Sequence, residues 1–319
     1  MTWRQNISTP SVLLVGLAAT GLLGEPLSSV ELPPELPLWE SESPEHPIQL
    51  EAEEEVRSLT AEPHSLTRQN RVFSTVSSPT YSIHRPEEPN GVGLVICPGG
   101  GFRDIWIDRE GHDLAIWLKG HGITSLVLKH RTRPEDLGAA HAWRDYQRVV
   151  RADGWEAIRV LRRGAKDLGL ESAKIGICGF SAGGHLAISC ALYPQTKPAE
   201  LDVSGLPDFA GLIYPGIPEG IDKLIEARAS PASSSPGICP MFMINARVDR
   251  LTPVDKCLEF YTRLLQVGVH AELHVFAKGS HGFDLGTGRG ESLALPIDKD
   301  CCIRVDTPLF GCVEVKFTA

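Results

Sequence analysis

The chain has 319 residues, 42% hydrophobic and 22% charged, an ordinary globular composition with enough apolar side chains for one sizeable core. Its formal net charge is -9 and it contains no dense Lys/Arg block. That excludes the basic stripe a polyphosphate or an anionic lipid surface would need, so neither nucleic acid nor membrane is an expected partner. In chain order, residues 1–24 read as a secretory signal. Arg4 supplies a positive charge, and Val12 to Leu23 form an apolar run shorter than the ~20 residues of a spanning helix. The expected location is secreted or periplasmic, with no membrane span in the mature form. Residues 25–70 are rich in Pro, Glu and Ser and read as an extended lead-in. The folded domain is expected over residues 71–319.

From Arg71 the texture changes. RVFSTV and TYSIHR are short β-like runs separated by Ser-Ser-Pro and predict a hairpin. GVGLVICP (91–98) is a buried strand followed by three glycines, and ITSLVLK (123–129) is the next strand. Between them Leu114, Trp117 and Leu118 share one helical face, with Gly120 and Gly122 as stop signals. Trp155, Ile158, Leu161, Ala165 and Leu168 recur at helical steps ahead of the strand KIGICGF. A further helix starts at Ala182, FAGLIYPGI and PMFMINA read as strands, Cys257 to Leu265 as a helix, and AELHVF as a final strand. Strands alternating with helices at this spacing predict a mostly parallel central sheet with helices on both faces, its reactive groups collected at the carboxyl ends of the strands. Residues 218–240 fall where a small lid is expected. Of the eight cysteines, Cys97, Cys178 and Cys190 sit in apolar runs and read as core residues. Cys301, Cys302 and Cys312 crowd the tail, and no Cys/His spacing suggests zinc.

GFSAGGH (179–185) lies between a strand and a helix. G-x-S-x-G there is a nucleophile elbow, a sharp turn that lifts the Ser181 side chain out of the sheet. A serine hydroxyl needs a base to take its proton. KGSHGF supplies His281 just beyond the last strand, where the chain order Ser, acid, His requires it. The base needs an acid to hold its tautomer, and Asp249 follows the strand MFMINA; Asp255 is a weaker competitor because it belongs to the next helix. A tetrahedral intermediate needs backbone N–H donors. Ala182, directly after the serine, is one expected donor, and Gly100 and Gly101 in PGGGF are the others. The triple glycine lacks the Lys-Ser/Thr of a phosphate-cradling loop. Phe102 and Trp106 are pocket candidates by proximity alone.

With these pieces in place the chain resembles bacterial α/β-hydrolase acetyl esterases and acetylxylan-esterase-like proteins, relatives of the dienelactone hydrolase and feruloyl esterase branches. The resemblance is carried by LPLWES, ICPGGGF, DREGHDLAIWL, LVLKHR, IGICGFSAGGHLA, DFAGLIYP, the Asp249 loop and GSHGF, in order from about residue 36 to 286. It implies the α/β-hydrolase fold, a catalytic domain over residues 71–319, and a Ser-Asp-His triad. It further implies an acyl-enzyme that releases short-chain acyl groups, acetyl above all, from a small-molecule or polysaccharide ester, with no metal or cofactor. Two departures stand out. Such relatives often carry paired acids before a Val-Pro, whereas this chain reads Asn245-Ala246-Arg247-Val248-Asp249. The tail, PIDKDCCIRVDTPLFGCVEVKFTA, has no helical period where relatives continue into an amphipathic helix. Two other readings remain open at this level: a peptidase or amide hydrolase on the same scaffold, and an inactive secreted carbohydrate-binding pseudo-esterase.

Overall fold

A computed structural model describes residues 30–40, 53–62, 65–135, 140–195, 203–229 and 237–285, together with the backbone of 302–307 and 311–316. The apolar run read as a secretory signal lies outside these residues, as does part of the lid segment, 230–236.

The first strands come from the stretch read as a lead-in, β1 (Leu36–Pro37) and β2 (Glu55–Ser58). They are followed by β3 (Arg71–Ser74), β4 (Thr80–His84), β5 (Gly91–Cys97) and the short β6 (Asp104–Ile105). A π-helical turn, Asp108–His112, runs into α1 (Asp113–Lys119), and β7 (Thr124–Lys129) returns to the sheet. Then come α2 (Ala140–Arg163), α3 (Ala165–Leu168), β8 (Leu170–Phe180) and α4 (Ala182–Leu192). The remaining elements are β9 (Ala210–Ile213), α5 (Ile221–Ala229), β10 (Met241–Ala246), α6 (Val254–Gln266) and β11 (Ala271–Phe276). The tail forms β12 (Cys302–Thr307) and β13 (Gly311–Lys316), an antiparallel ribbon paired with itself.

The central sheet has the order β1-β4-β7-β5-β8-β9-β10-β11. From β7 to β11 all pairings are parallel, and β4 and β1 add antiparallel at one edge. Strands covered on both faces are mostly apolar, and β5 is buried at every position. Its side chains alternate between two cores. Val95 and Cys97 join Leu186 of α4, Ile158 of α2 and Phe260 of α6 on one face. Leu94 and Ile96 join Leu114 and Leu118 of α1 on the other.

Two expectations change. The hairpin of RVFSTV and TYSIHR does not form: β3 lies between β2 and β6 in a separate three-stranded sheet, whereas β4 pairs with β7. Phe73 is buried in the α1 core, whereas Tyr81 and Ile83 pack against the other core. The lead-in, in turn, is partly built into the domain. Leu38 is buried in the core, and Trp39 Nε1 donates to Asp153 Oδ1 at 3.1 Å. Lys129, with a side chain only 7% exposed, meets both Glu35 and Glu54 at 2.8 Å. Two acidic residues of the lead-in are thus counter-ions for a buried lysine.

Candidate active site

Ser181 stands between β8, the strand flanked by β5 and β9, and α4, at the helix N-cap position. Its backbone sits at φ 51° and ψ -113°, a conformation that costs a non-glycine residue on the order of 1–3 kcal/mol and persists only when its surroundings enforce it. The enforcement is visible. Its N–H donates to Ile213 O at 3.0 Å, and its carbonyl accepts from His185 N at 3.1 Å and Gly216 N at 2.9 Å. The turn is so tight that a Cβ on Gly179 would lie 2.0 Å from Gly183 O, and one on Gly183 would lie 1.9 Å from Cys97 O. These contacts explain the glycines that flank the serine.

The loop after β11 brings His281 Nε2 to 2.8 Å from Ser181 Oγ. On the far side of the ring, Nδ1 lies 2.8 Å from Asp249 Oδ2, in the loop after β10. With Nδ1–H donating to the carboxylate, Nε2 is left to accept the serine proton. Asp249 is held in turn: its Oδ1 accepts from the amides of Leu251 and Thr252, both at 2.9 Å. Asp255 lies on an exposed position in the first turn of α6. Thr252, which the sequence did not single out, places its Oγ1 2.9 Å from Asp249 Oδ2, 3.1 Å from His281 Nδ1 and 3.0 Å from Tyr214 O. Its single proton serves one of these oxygens at a time.

The loop after β5 runs beside the serine. A Cβ on Gly99 would lie 2.9 Å from Ser181 Cβ, and the Gly99 N–H donates to Glu110 Oε2 at 2.6 Å. Gly100, Gly101 and Phe102 follow at φ 131°, 64° and 61°. Gly100 O accepts from the amides of both Arg103 and Asp104, closing the turn. Ala182, in the first turn of α4, is buried beside it. His130 backs the loop, with Nε2 3.2 Å from Pro98 O.

Phe102 is buried, and its ring meets those of His130, Trp143, Tyr146 and His185 edge-on at 5.5–5.9 Å. His185 follows Ser181 by one helical turn. Burial, with Arg151 nearby, lowers its pKa to about 4, so it is neutral at ordinary pH. Trp106 instead carries the Arg109 guanidinium over its ring at 5.0 Å. Arg109, Glu110, Tyr214 and Asp284 form a polar layer behind the serine and the histidine. Their sequence signal is a charged pair, Arg109-Glu110, entering an amphipathic helix where a buried side chain is the less common outcome. Among the described residues no group of three or more His, Cys, Asp or Glu is placed to hold a metal ion, and no helix is long and apolar enough to cross a membrane.

The parallel sheet covered on both faces, with this elbow at the end of its central strand, defines an α/β-hydrolase. Within that class the chain is similar to esterases of acetylated substrates. Residues 150–210 match the BD-FAE family model. An acetylxylan esterase of Xylanibacter ruminicola is 27% identical over 226 residues, 63% of this chain and 43% of that protein, so this chain spans less than half the length of that relative. An acetyl ester-xyloside bifunctional hydrolase from Caldicellulosiruptor lactoaceticus shares the fold, with a TM-score of 0.58 and 24% identity over 82% of this chain and 93% of its own. A thermophilic esterase from Thermogutta terrifontis, solved with propionate bound, gives a TM-score of 0.54 and 25% identity over 68% of this chain and 84% of its own.

Proposed function

We propose that the chain is a serine carboxylesterase that removes short acyl groups, acetyl above all, through an acyl-enzyme on Ser181. The observation that carries this reading is the unbroken chain of 2.8 Å contacts from Ser181 Oγ through His281 to Asp249, built on a strained elbow. In the first half-reaction Ser181 Oγ attacks the ester carbonyl carbon while its proton passes to His281 Nε2. Asp249 holds the imidazole in the required tautomer and stabilises the imidazolium. The tetrahedral intermediate collapses as Nε2 returns the proton to the departing alkoxide, leaving an ester on Ser181. Water then attacks by the same route, releasing the acid and regenerating the serine.

The developing oxyanion is assigned to the amide of Ala182 and to those of Gly100 and Gly101. This assignment is supported by the commitment of the preceding amide, Gly99, to Glu110, and by the turn that brings the loop against Ser181. The short α5 in the lid segment favours an open site that admits a bulky alcohol. An acetylated polysaccharide such as xylan, the substrate named for the Xylanibacter relative, fits this best. Such a polymer is met outside the cytoplasm, in keeping with the leader read in residues 1–24. N-terminal sequencing of protein from a culture supernatant checks the leader.

The test compares the purified protein and Ser181→Ala on p-nitrophenyl acetate, butyrate and octanoate, then on acetylated xylan. The expected result is kcat/KM falling with chain length and acetate released from xylan, both absent in Ser181→Ala. Preference for octanoate would overturn the short-acyl reading. Ser181-independent turnover, or none on any ester, would overturn the esterase itself in favour of an amide hydrolase or a binding protein.

A further inference from the structure

Glu110 is buried in the π-helical turn, and both of its oxygens are engaged. Oε2 accepts the Gly99 N–H at 2.6 Å, and Oε1 accepts the Tyr214 hydroxyl at 2.9 Å. Tyr214 O–H also lies 3.3 Å from Asp284 Oδ1, and its oxygen accepts the Asp284 N–H at 3.2 Å. Arg109 Nε donates to Asp284 Oδ2 at 2.8 Å, and Arg109 Nη2 donates to Gly282 O at 3.1 Å. The Tyr214 ring packs edge-on against the His281 ring at 4.9 Å. One carboxyl group therefore joins the loop of Gly100 and Gly101 to the loop of His281. Tyr214 and Asp284 hold positive φ at 36° and 52° within this network, so the join stores strain as well as bonds.

We propose that Glu110 is a positioning residue that straps the oxyanion loop to the His281 loop, and that the strap holds in its ionised form. The proposal rests on the serine-esterase reading above. An ionised carboxyl accepts from Gly99 and Tyr214 at once. When Glu110 takes a proton, one oxygen becomes a donor: it then gives its proton to the Tyr214 oxygen, and Tyr214 turns its own towards Asp284. The groups facing Glu110 are Asp284, Arg109 and Tyr214, with His281 behind the tyrosine ring. Burial first, then the Asp284 charge, raises the Glu110 pKa to about 7, which brings the rewiring within reach of neutral pH.

Glu110→Ala, Glu110→Gln and Tyr214→Phe are compared with the unaltered protein on p-nitrophenyl acetate from pH 5 to 9, with thermal melts as a folding control. The expected result for Glu110→Ala is a fall in kcat of about 30-fold or more with KM within about threefold, because the loss falls on the transition state. Glu110→Gln, whose amide oxygen accepts from Gly99 while its NH2 donates to the Tyr214 oxygen, reproduces the protonated strap and keeps a reduced kcat even where the unaltered protein is fully active. Its kcat falls on the acid side with the slope of one proton, whereas the unaltered protein shows a steeper, two-proton limb. If Glu110→Ala fails to fold, the glutamine and phenylalanine variants carry the test. Wild-type kcat in a folded Glu110→Ala, or an unchanged acid slope in Glu110→Gln, overturns the strap. Ser181→Ala run alongside separates the two claims: if it is dead while the Glu110 variants behave as wild type, only the strap falls, whereas a live Ser181→Ala removes the esterase reading itself.

Discussion

Two guanidinium–carboxylate pairs sit near the carboxyl ends of the strands, and they do different work. Arg131 grips Asp153 with Nε at 2.9 Å and a second, shorter bond from Nη2, in side chains 2% and 0% exposed. Asp153 is completed by Trp39 from the lead-in and by the Arg131 amide, and neither partner lies at positive φ. Arg109 instead directs both Nε and Nη2 at one oxygen of Asp284, Oδ2; Asp284 is strained, a second carboxyl stands nearby on Glu110, and Gly282 shares the guanidinium. The first pair is saturated and closes the N-terminal stretch onto the sheet. The second sets the Arg109 guanidinium beside two carboxyls, Asp284 and Glu110, and lies against His281 through Tyr214. Buried ion pairs alone therefore do not mark a site; strain together with a second buried carboxyl of raised pKa does.

Breaking each side separates these roles. On the proposed catalytic side, Asp249→Asn leaves the fold in place but removes the group that fixes the His281 tautomer. kcat on p-nitrophenyl acetate should drop by about 10⁴-fold with little change in melting temperature. A drop of less than tenfold would point to another acid. On the structural side, Asp153→Asn leaves Arg131 buried with a weakened partner. Denaturant titration should show a loss of about 3–5 kcal/mol while kcat per folded molecule stays near wild type. An unstable variant that had also lost kcat would erase the contrast.

A third probe is a pair of histidines, one of them three residues beyond Arg109 in the same π-helical turn. His84 Nε2 and His112 Nδ1 meet at 2.8 Å, both buried. Burial first, then the neighbouring His112, lowers the His84 pKa to about 3; burial, then Arg71, lowers that of His112 to about 4. Both are neutral in the folded protein, whereas the unfolded chain takes up protons near pH 6.5. Their contribution is intact above that value and is lost as pH falls toward 4 and then 3, at up to about 1.4 kcal/mol per pH unit for each group. His112→Gln should flatten the fall in melting temperature between pH 6.5 and 4.5, and an equally steep fall would assign it to other groups. The smallest effect is expected from Thr252→Val, which removes one hydroxyl shared by Asp249, His281 and Tyr214. A cost of about 1 kcal/mol in stability and a few-fold loss in kcat should appear in melts and kinetics.

The parallel strands and the elbow were legible because their signals are local. β5, the second half of β8 (Ile175 to Phe180) and most of β10 are apolar runs, and Gly179 and Gly183 mark the tight turn around Ser181. Ser181, Asp249 and His281 follow from chain order within such a fold, and the structure brings the three into hydrogen-bond contact. What escaped depends on partners distant in sequence. Glu35 and Glu54 are not singled out within the lead-in, because their counter-ion, Lys129, lies on β7. Glu110 and Tyr214 read as a helix start and a strand end, since their meeting requires the loops after β5, β9 and β11 to converge. The hairpin failed for a related reason: alternation within β3 and β4 fixes which residues share a face, not which core that face enters.

The central claim is that Ser181 becomes covalently acylated, and a reactive phosphonate tests it most directly. Attack of Ser181 Oγ on phosphorus, with loss of the leaving group, leaves a stable adduct that peptide mass mapping locates. The account predicts one phosphonyl group per chain, on Ser181, with activity lost in proportion, no label in Ser181→Ala and slow labelling in His281→Gln. An unlabelled chain that still hydrolyses acetate esters, or a label on another residue that tracks the loss of activity, would contradict it.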